Sequence, residues 1–288
     1  MWLLAIRPKT LSASVAPVLV GSAIALREGG FRWLPALAAL SAALLLQIGA
    51  NLVNDAADCA RGADTAARRG PTRVTQAGLL SAAQVWRAAW LAFGAATVLG
   101  GYLVAVGGWP IALLGLAAIA AAWAYTAGPW PLAYHGLGEV FVFAFFGLAA
   151  VAGTTYVQSG ALSPLALAAA LPVGALVTAI LVVNNTRDID TDRVAGKRTL
   201  AVRLGAAAAR GEYVALLAVA FATPAVLWLH GTTSLAGLLP LLALPAALRL
   251  VRRMRQAADG PSFNALLADT ARLQLVFGAL FGVGLIVS

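Results

Sequence analysis

Residues 51–58 read Asn-Leu-Val-Asn-Asp-Ala-Ala-Asp, residues 184–192 read Asn-Asn-Thr-Arg-Asp-Ile-Asp-Thr-Asp, and each stretch follows a long apolar run. Together with Asp64, these two Asp motifs hold six of the eleven acidic residues of the chain. Carboxylates at the edge of an apolar run cost free energy unless they are paired or bind a cation. The two matched clusters therefore predict a membrane protein in which two parts of the chain build one cation site.

The composition also indicates a membrane protein. Of the 288 residues, 61% are hydrophobic and 11% are charged, and the mean hydropathy is +0.86, whereas a soluble domain carries about 25% charged residues. Because backbone groups within a bilayer must be satisfied inside each segment, and because no alternating strand pattern is present, we predict an all-α, polytopic membrane protein. About nine segments are apolar and long enough to span a membrane. They are 11–26, 33–53, 83–104, 109–126, 137–156, 164–186, 212–230, 233–250 and 270–288.

A weak internal repeat suggests how the chain is organised. Each Asp motif ends an even-numbered span and is followed by a basic loop, and residues 70–74, Gly-Pro-Thr-Arg-Val, resemble residues 196–200, Gly-Lys-Arg-Thr-Leu. We therefore expect a single membrane domain, 1–288, made of two pseudo-repeated halves, roughly 1–130 and 131–288.

The basic residues predict the orientation in the membrane. With the N-terminus in the cytoplasm, only Arg27 and Arg32 of the 20 Lys and Arg residues lie outside, which leaves 18 inside (20 − 2). Cytoplasmic loops carry the excess of positive charge in membrane proteins. We thus expect a multi-pass protein of the cytoplasmic (inner) membrane, with the N-terminus and both Asp motifs in the cytoplasm. The net charge of +9 is assigned to this surface, and no nucleic-acid partner is expected.

Helical spacing groups the polar residues of each motif. Asn51, Asp55 and Asp58 are four and three residues apart, and Asp188 and Asp192 continue a similar face from Asn184. Side chains of this kind also cap helix ends, but two matched triplets at the same membrane depth favour a metal site. Hard oxygen ligands suit Mg²⁺ in combination with phosphate oxygens. The predicted metal ligands are Asn51, Asp55, Asp58, Asp188 and Asp192.

Basic residues follow both motifs. The positive-inside rule explains most of them, but Arg73 and Lys197, which lie within the two repeated segments, are the primary predicted phosphate-binding residues. Arg68, Asn184 and Arg187 complete the predicted diphosphate-binding set. No P-loop is present, which argues against nucleotide hydrolysis.

A third polar segment runs from Tyr125 to Glu139. Glu139 opens an apolar span, where a charged residue is unusual. Its carboxylate either hydrogen-bonds a polar substrate or serves as a favourable acidic residue at a helix N-terminus.

These motifs resemble those of the UbiA superfamily of intramembrane aromatic prenyltransferases. The first motif continues to Asp64 and then to Gly-Pro-x-Arg at 70–73, and the second continues to Arg193 and to Gly-Lys-x-Thr-Leu at 196–200. The resemblance is strongest to the branch that acts on 1,4-dihydroxy-2-naphthoate in menaquinone synthesis, and it covers residues 7 to about 205. Ala127 departs from this branch, which often has Gly at that position.

The resemblance implies a ring of nine transmembrane helices around a central cavity. The Asp motifs would hold two Mg²⁺ ions on a polyprenyl diphosphate, and 1,4-dihydroxy-2-naphthoate would bind near Tyr125 and Glu139. Transfer of the polyprenyl group would release diphosphate and CO₂ and give demethylmenaquinone. Asp64 and Glu139 are the candidates for accepting the acceptor's proton.

Two alternatives remain open at the level of sequence. Another member of the superfamily could use 4-hydroxybenzoate or homogentisate as acceptor, which the Asp motifs alone do not distinguish. A cation-coupled transporter also carries intramembrane Asp residues, although its sites usually lie near the bilayer midplane. Because both motifs here end beside basic loops at the membrane boundary, an anionic headgroup is the better match.

Overall fold

The computed structural model describes residues 1–64 and 69–288 and is entirely helical in its regular secondary structure, which confirms the all-α prediction. The α-helices are α1 Trp2–Ile6, α2 Ser12–Arg27, α3 Trp33–Ala60, α4 Ala82–Gly107, α5 Trp109–Ala124, α6 Gly138–Val142, α7 Ala150–Ser159, α8 Pro164–Arg187, α9 Ile189–Val194, α10 Leu200–Leu204, α11 Ala206–Leu229, α12 Leu244–Gln256 and α13 Gly260–Val287. A π-helical segment, Phe143–Ala149, joins α6 to α7, and 3₁₀ segments cover Pro8–Thr10, Leu132–His135 and Leu235–Ala243.

The number of spans differs slightly from the predicted nine. Within the described residues, seven helices are long and apolar enough to cross a membrane, or eight when Trp2–Thr10 and Ser12–Arg27, which meet at a bend of 47°, count as one span. The remaining predicted segment, 109–126, forms α5, which has 16 residues. At about 1.5 Å per residue, α5 is about 24 Å long and falls short of a bilayer core of about 30 Å.

Helix α8 forms the centre of the main hydrophobic core. Of its 18 most apolar consecutive residues, 78% are buried inside the protein, more than in the other long helices. Apolar side chains of α8 such as Leu176 join Tyr213 of α11 and Phe277 and Phe281 of α13 in one cluster of fully buried residues. The second Asp motif begins in the last turn of this central helix and is held by it.

The π-helical segment packs closely against α8 because both surfaces carry a glycine where they meet. A Cβ atom added to Gly147 would lie 2.7 Å from the Cα atom of Gly174. Small residues of this kind let helix backbones approach one another in membrane proteins. The segment is thereby held beside α8, and Phe145 and Phe146 of the segment line a large cavity described below.

Two helices are longer than the apolar pattern suggested. Helix α3 continues through Asp55 and Asp58 to Ala60, so the first Asp motif is helical over residues 51–58. Helix α13 begins at Gly260, ten residues before the predicted start at 270, because the Asp259 carboxylate caps it by accepting a 2.8 Å hydrogen bond from the amide of Ser262. Capping of this kind stabilises a helix start whose first turns are polar.

Candidate active site

The two Asp motifs meet at a small polar cavity of about 40 Å³. Residues from the ends of α3 and α8 and from the segments that follow them surround it, together with residues after α1, after α5 and in the 3₁₀ segment Leu132–His135. The lining residues are Arg7, Asn54, Asp58, Ala63, Asp64, Arg73, Tyr125, Ala133, Leu181, Asn184, Asn185, Asp188, Asp192 and Lys197. Residues more than 130 positions apart thus share one site, and Asp58, Asp64, Asp188, Asp192, Arg73, Lys197, Asn184 and Tyr125 are the predicted site residues that line it.

Asp58 connects the two parts of the site. Its Oδ1 accepts a 2.9 Å hydrogen bond from the hydroxyl of Tyr134, and its Oδ2 lies 3.5 Å from Nζ of Lys197 and 3.6 Å from Nη2 of Arg73. Burial of Tyr134, together with the nearby charge of Asp58, raises the pKa of the Tyr134 hydroxyl, so it stays a donor at neutral pH. The ring of Tyr134 also lies under the guanidinium of Arg61, at 5.3 Å.

Arg73 is a buried cation whose donors are only partly used. Its Nη2 donates a 2.6 Å hydrogen bond to Oδ1 of Asn54, and its Nε lies 3.2 Å from Oδ2 of Asp64. Its Nη1 is buried and has no hydrogen-bond partner among the described residues. Asp64, a predicted proton acceptor, is therefore placed in an ion pair with a residue predicted to bind phosphate.

Asp188 is held by a fully buried arginine. Arg187 donates from Nε and Nη2 to the two carboxylate oxygens of Asp188, at 2.8 and 2.6 Å. It also donates from Nη2 to Asn184 and from Nη1 to Asn264 of α13, both at 2.7 Å. Because these acceptors engage all three nitrogens and Arg187 does not line the polar cavity, its observed contacts position Asp188 and Asn184.

Two predicted metal ligands face other groups. Both oxygens of Asp55 accept hydrogen bonds from backbone amides, Val74 at 3.1 Å and Thr75 at 2.9 Å. Asn51 donates from Nδ2 to the carbonyl of Ile6 at 3.0 Å. Among the described residues, neither side chain is part of the polar cavity lining. Their observed contacts hold the adjacent loop and the N-terminal segment in place.

A large apolar cavity of about 620 Å³ opens beside the polar one. Helices α2 to α5, the π-helical segment, α7 and α8 supply its walls, which are largely Ala, Gly, Leu, Val and Phe side chains. Five residues line both cavities: Arg7, Asn54, Tyr125, Leu181 and Asn184. The combined space suits a molecule with a compact charged head and a long apolar tail.

The predicted acceptor-binding residues lie at this junction but differ in access. Tyr125 lines both cavities. Glu139 is 6% exposed and lines neither of them, and its Oε1 accepts a 2.7 Å hydrogen bond from Asn185, which lines the polar cavity. Arg68, the last predicted site residue, lies outside the described residues.

The donor set fits a divalent cation that binds together with an anionic substrate. Among the described residues, no three His, Cys, Asp or Glu side chains lie close enough to hold a metal by themselves. Mg²⁺ bound to phosphorylated substrates takes one or two protein carboxylates and completes its shell with phosphate oxygens and water. Asp58, Asp188 and Asp192 offer such carboxylates, and the unused Nη1 of Arg73 offers a donor for the phosphate.

Four residues of the site were absent from the predicted set: Arg7, Asn54, Tyr134 and Asn185. Asn54 lies four residues before Asp58, and Asn185 is the second residue of an Asn-Asn pair, so spacing could have indicated both. Arg7 has the only left-handed backbone conformation of a non-glycine residue among those described, with φ of 53°. Strained backbone of this kind concentrates at functional sites, but sequence offers no sign of it.

The architecture defines an intramembrane enzyme class in which a polar, acidic and basic headgroup site adjoins an apolar tail cavity. The UbiA prenyltransferase family matches residues 14–276, and the chain belongs to this family. The 1,4-dihydroxy-2-naphthoate octaprenyltransferase of Mycobacterium leprae is 40% identical over 96% of this chain and 92% of the relative. The enzyme of that name from Escherichia coli is 38% identical over 100% and 95%.

Solved structures show the same fold. A UbiA homolog from Archaeoglobus fulgidus, bound to GPP and Mg²⁺, superposes with a TM-score of 0.68 at 17% identity, covering 100% of this chain and 99% of that protein. At this level of identity the likeness concerns the fold alone. The family predicted from the Asp motifs and the all-α membrane architecture predicted from the composition are both confirmed.

Proposed function

We propose that this chain transfers a polyprenyl group from polyprenyl diphosphate to 1,4-dihydroxy-2-naphthoate, in the step of menaquinone synthesis that leads to demethylmenaquinone. The observation that carries the proposal is the junction of the polar and apolar cavities, which share Arg7, Asn54, Tyr125, Leu181 and Asn184. The junction matches a diphosphate head joined to a long hydrocarbon tail. The names of relatives at 38–40% identity over nearly the full chain support the choice of acceptor.

The diphosphate would occupy the polar cavity. Arg73 and Lys197 supply positive charge there, and both are paired with Asp58 in the structure. Binding of the diphosphate would exchange part of these internal pairs for contacts to phosphate oxygens. Arg grips such oxygens through paired hydrogen bonds, and Lys acts as a compact point charge.

Divalent metal fits the same cavity, and a UbiA homolog of the same fold binds Mg²⁺ together with GPP. Asp58, Asp188 and Asp192 would contribute ligands from the two motifs, and Asp55 and Asn51 would join them directly or through the segments they hold. Two Mg²⁺ ions, when bound, would neutralise the diphosphate and make it a better leaving group.

The chain's own residues would then set the geometry of transfer. The allylic carbon would lie at the junction, near Tyr125 and Leu181, with the tail in the apolar cavity, where water is excluded. The bond from this carbon to the diphosphate oxygen breaks, and its electron pair leaves with the diphosphate. The electron-rich naphthoate ring forms the new carbon–carbon bond, and its carboxylate departs as CO₂, which leaves the quinol form of the product.

The site would face the cytoplasm of the inner membrane. Basic loops follow both Asp motifs, and 18 of the 20 Lys and Arg residues fall on the same side when the N-terminus is inside (20 minus Arg27 and Arg32). In this orientation the polar cavity would receive its substrates from the cytoplasmic side.

Membranes that contain this chain provide the direct test. They are incubated with Mg²⁺, a polyprenyl diphosphate and carboxyl-labelled 1,4-dihydroxy-2-naphthoate, with 4-hydroxybenzoate in a parallel reaction. Labelled CO₂ and a prenylated naphthoquinone, both lost with EDTA, are the expected result. Product from 4-hydroxybenzoate alone would overturn the acceptor and retain prenyl transfer. Cation flux without product from either acceptor would favour a transporter.

A further inference from the structure

Asn185 is a buried polar residue of the cavity that the proposed chemistry leaves without a role. It lies in the last turn of α8, is 5% exposed, and lines the polar cavity next to Tyr125 and Leu181. Both of these neighbours also line the apolar cavity. Asn185 therefore faces the place where the allylic end of a prenyl tail and an aromatic ring would meet.

A hydrogen bond fixes the direction of its amide group. Nδ2 of Asn185 donates to Oε1 of Glu139 over 2.7 Å, and both side chains are buried. Because the NH₂ group faces Glu139, the carbonyl oxygen of the planar amide points away from it. Among the described residues, that oxygen accepts no hydrogen bond, and it is not sealed from the cavity.

Tyr125 presents a second open polar atom nearby. Its hydroxyl makes no hydrogen bond to another described residue, and its side chain lines both cavities. It approaches the start of α6 because Gly138 has no side chain: a Cβ atom there would lie 2.9 Å from the Tyr125 hydroxyl oxygen. The junction thus offers a hydrogen-bond acceptor on Asn185 and a hydroxyl on Tyr125.

We propose that the carbonyl oxygen of Asn185 orients the aromatic acceptor by accepting a hydrogen bond from one of its ring hydroxyls. Glu139 is then a positioning residue that acts through Asn185 and does not touch the acceptor. The arrangement selects an aromatic ring that carries a hydroxyl group at the position facing Asn185. The identity of that ring as 1,4-dihydroxy-2-naphthoate rests on the proposed function.

Four single variants separate this role from a general effect on the site. Asn185→Leu removes the accepting oxygen, and Glu139→Leu removes the group that aims it. Glu139→Gln keeps an oxygen that accepts a hydrogen bond from Asn185 and should therefore retain acceptor binding. Thr186→Val is the matched control, because the Thr186 hydroxyl is buried on the same turn of α8 and donates to the Val182 carbonyl at 2.7 Å, within its own helix.

The readouts are the Kd for 1,4-dihydroxy-2-naphthoate, from direct titration of purified protein, and the KM for polyprenyl diphosphate. Loss of one hydrogen bond at a buried site weakens binding by about tenfold. We expect Asn185→Leu and Glu139→Leu to raise the acceptor Kd by about that factor, with the diphosphate KM within about twofold of wild type. Glu139→Gln and Thr186→Val should have the acceptor Kd of the wild type. The double variant Asn185→Leu/Glu139→Leu should have the same acceptor Kd as Asn185→Leu alone, because both substitutions act through one hydrogen bond.

Several results would overturn the proposal. An unchanged acceptor Kd in a folded Asn185→Leu protein would do so, as would an equal rise in the diphosphate KM. If Glu139→Gln binds as poorly as Glu139→Leu, charge and not the accepting oxygen is what matters, and the positioning role is lost. Glu139→Leu provides the test if Asn185→Leu fails to fold. A wild-type protein that binds the naphthoate without turnover would refute the proposed function and leave this binding test intact.

Discussion

Asp58 links the two parts of the site, because its carboxylate contacts Tyr134, Arg73 and Lys197. The Lys197 and Tyr134 contacts come from the second part of the chain, and the Arg73 contact comes from the loop after α3. Without substrate, these cations and carboxylates balance one another, which lowers the cost of burying them at a membrane boundary. The same charges become available when an anion and its metal enter.

Replacement of Asp188 tests the second motif. Asp188→Asn keeps the shape of the side chain but removes the charge that faces the polar cavity, and it leaves Arg187 with a weaker partner. We expect prenyl transfer to fall by at least about 100-fold, the size typical for loss of one preorganised charge at a reacting centre. The measurement is turnover of purified protein, with membrane insertion checked in parallel.

Asp190→Asn is the matched control for this variant. Asp190 lies two residues along the chain, its side chain is 63% exposed, and it pairs over 3.1 Å with Arg69, whose side chain is 46% exposed. An exposed pair of this kind contributes little, so turnover should stay within about twofold of wild type. Equal losses in both variants would contradict the assignment of Asp188 to the site.

Arg187 makes a separate prediction about stability. Arg187→Met leaves Asp188 buried without its bidentate partner, and removing one member of a buried pair costs about 3–5 kcal/mol. The protein should unfold at a clearly lower temperature in detergent. Arg272→Met, which breaks a pair whose arginine is 79% exposed, should change the unfolding temperature little.

A double variant distinguishes loss of pairing from loss of packing. Arg187→Met combined with Asp188→Leu removes both charges and leaves no unpaired buried ion. Such replacements are often neutral, so the unfolding temperature should recover most of the way while activity stays low. Failure to recover would show that Asn184 and Asn264, the other partners of Arg187, carry the stability.

At the scale of the elements, the loop after α3 is shaped by a helix side chain. Both oxygens of Asp55 hold the amides of Val74 and Thr75, and this contact places Arg73, one residue earlier, over Asp58 and Asp64. The helix end and the loop form one unit, even though they are about 20 residues apart in the chain. An acidic side chain within the motif thus organises the loop that carries Arg73, the residue predicted to bind phosphate.

Asp55→Asn should loosen this unit. An Asn side chain has one accepting oxygen where Asp55 uses two, so one of the two loop amides loses its partner. We expect the KM for polyprenyl diphosphate to rise about tenfold or more, because Arg73 is no longer held, with a further loss of turnover if Asp55 also contacts metal. Thr75→Ala is the control, since it keeps the backbone amide that Asp55 binds. A rise in KM in Thr75→Ala as large as in Asp55→Asn would refute the loop-anchoring role.

The elements also show what the sequence could reveal. Spacing predicted that residues 51–58 are helical, and they lie within α3, but Asn51 and Asp55 contact the N-terminal segment and the loop after α3, and only Asp58 lines the polar cavity. In the second motif Asn184, Asp188 and Asp192 all line the cavity, although α8 ends at Arg187 and Asp192 lies in α9. Contacts between distant elements could not be predicted from the sequence. Asn264 contacts Arg187, which is 77 positions away in the chain, and Glu139 contacts Asn185, which is 46 positions away. The role expected for Glu139 depended on such a contact, since Glu139 is bonded to Asn185 and does not itself line either cavity.

On the scale of the whole molecule, hydropathy predicted the helical architecture well and the number of spans less well. Every predicted segment contains a helix, but α5 is only 16 residues long, and its apolar sequence does not reveal where the chain turns. The cavities were not predictable, because their walls combine small residues from several helices. In the sequence, the Ala and Gly residues of α3, α4 and α5 predict only close helix packing. That they line a cavity becomes visible only in the folded arrangement of the helices.

The distribution of charge makes the last prediction, which concerns orientation. In a background of Cys59→Ala, Thr232→Cys and Gln256→Cys introduce single exposed thiols at opposite ends of the helices between α11 and α13. The positive-inside rule puts the arginine-rich end of α12, where Gln256 lies, in the cytoplasm. A membrane-impermeant maleimide should then label Thr232→Cys in right-side-out vesicles and Gln256→Cys in inside-out vesicles. The reverse pattern would place the Asp motifs and the polar cavity on the outer side of the membrane, away from the cytoplasm in which the proposed substrates are made. It would refute the cytoplasmic orientation. It would also refute the proposal that diphosphate reaches Arg73 and Lys197 from the cytoplasm.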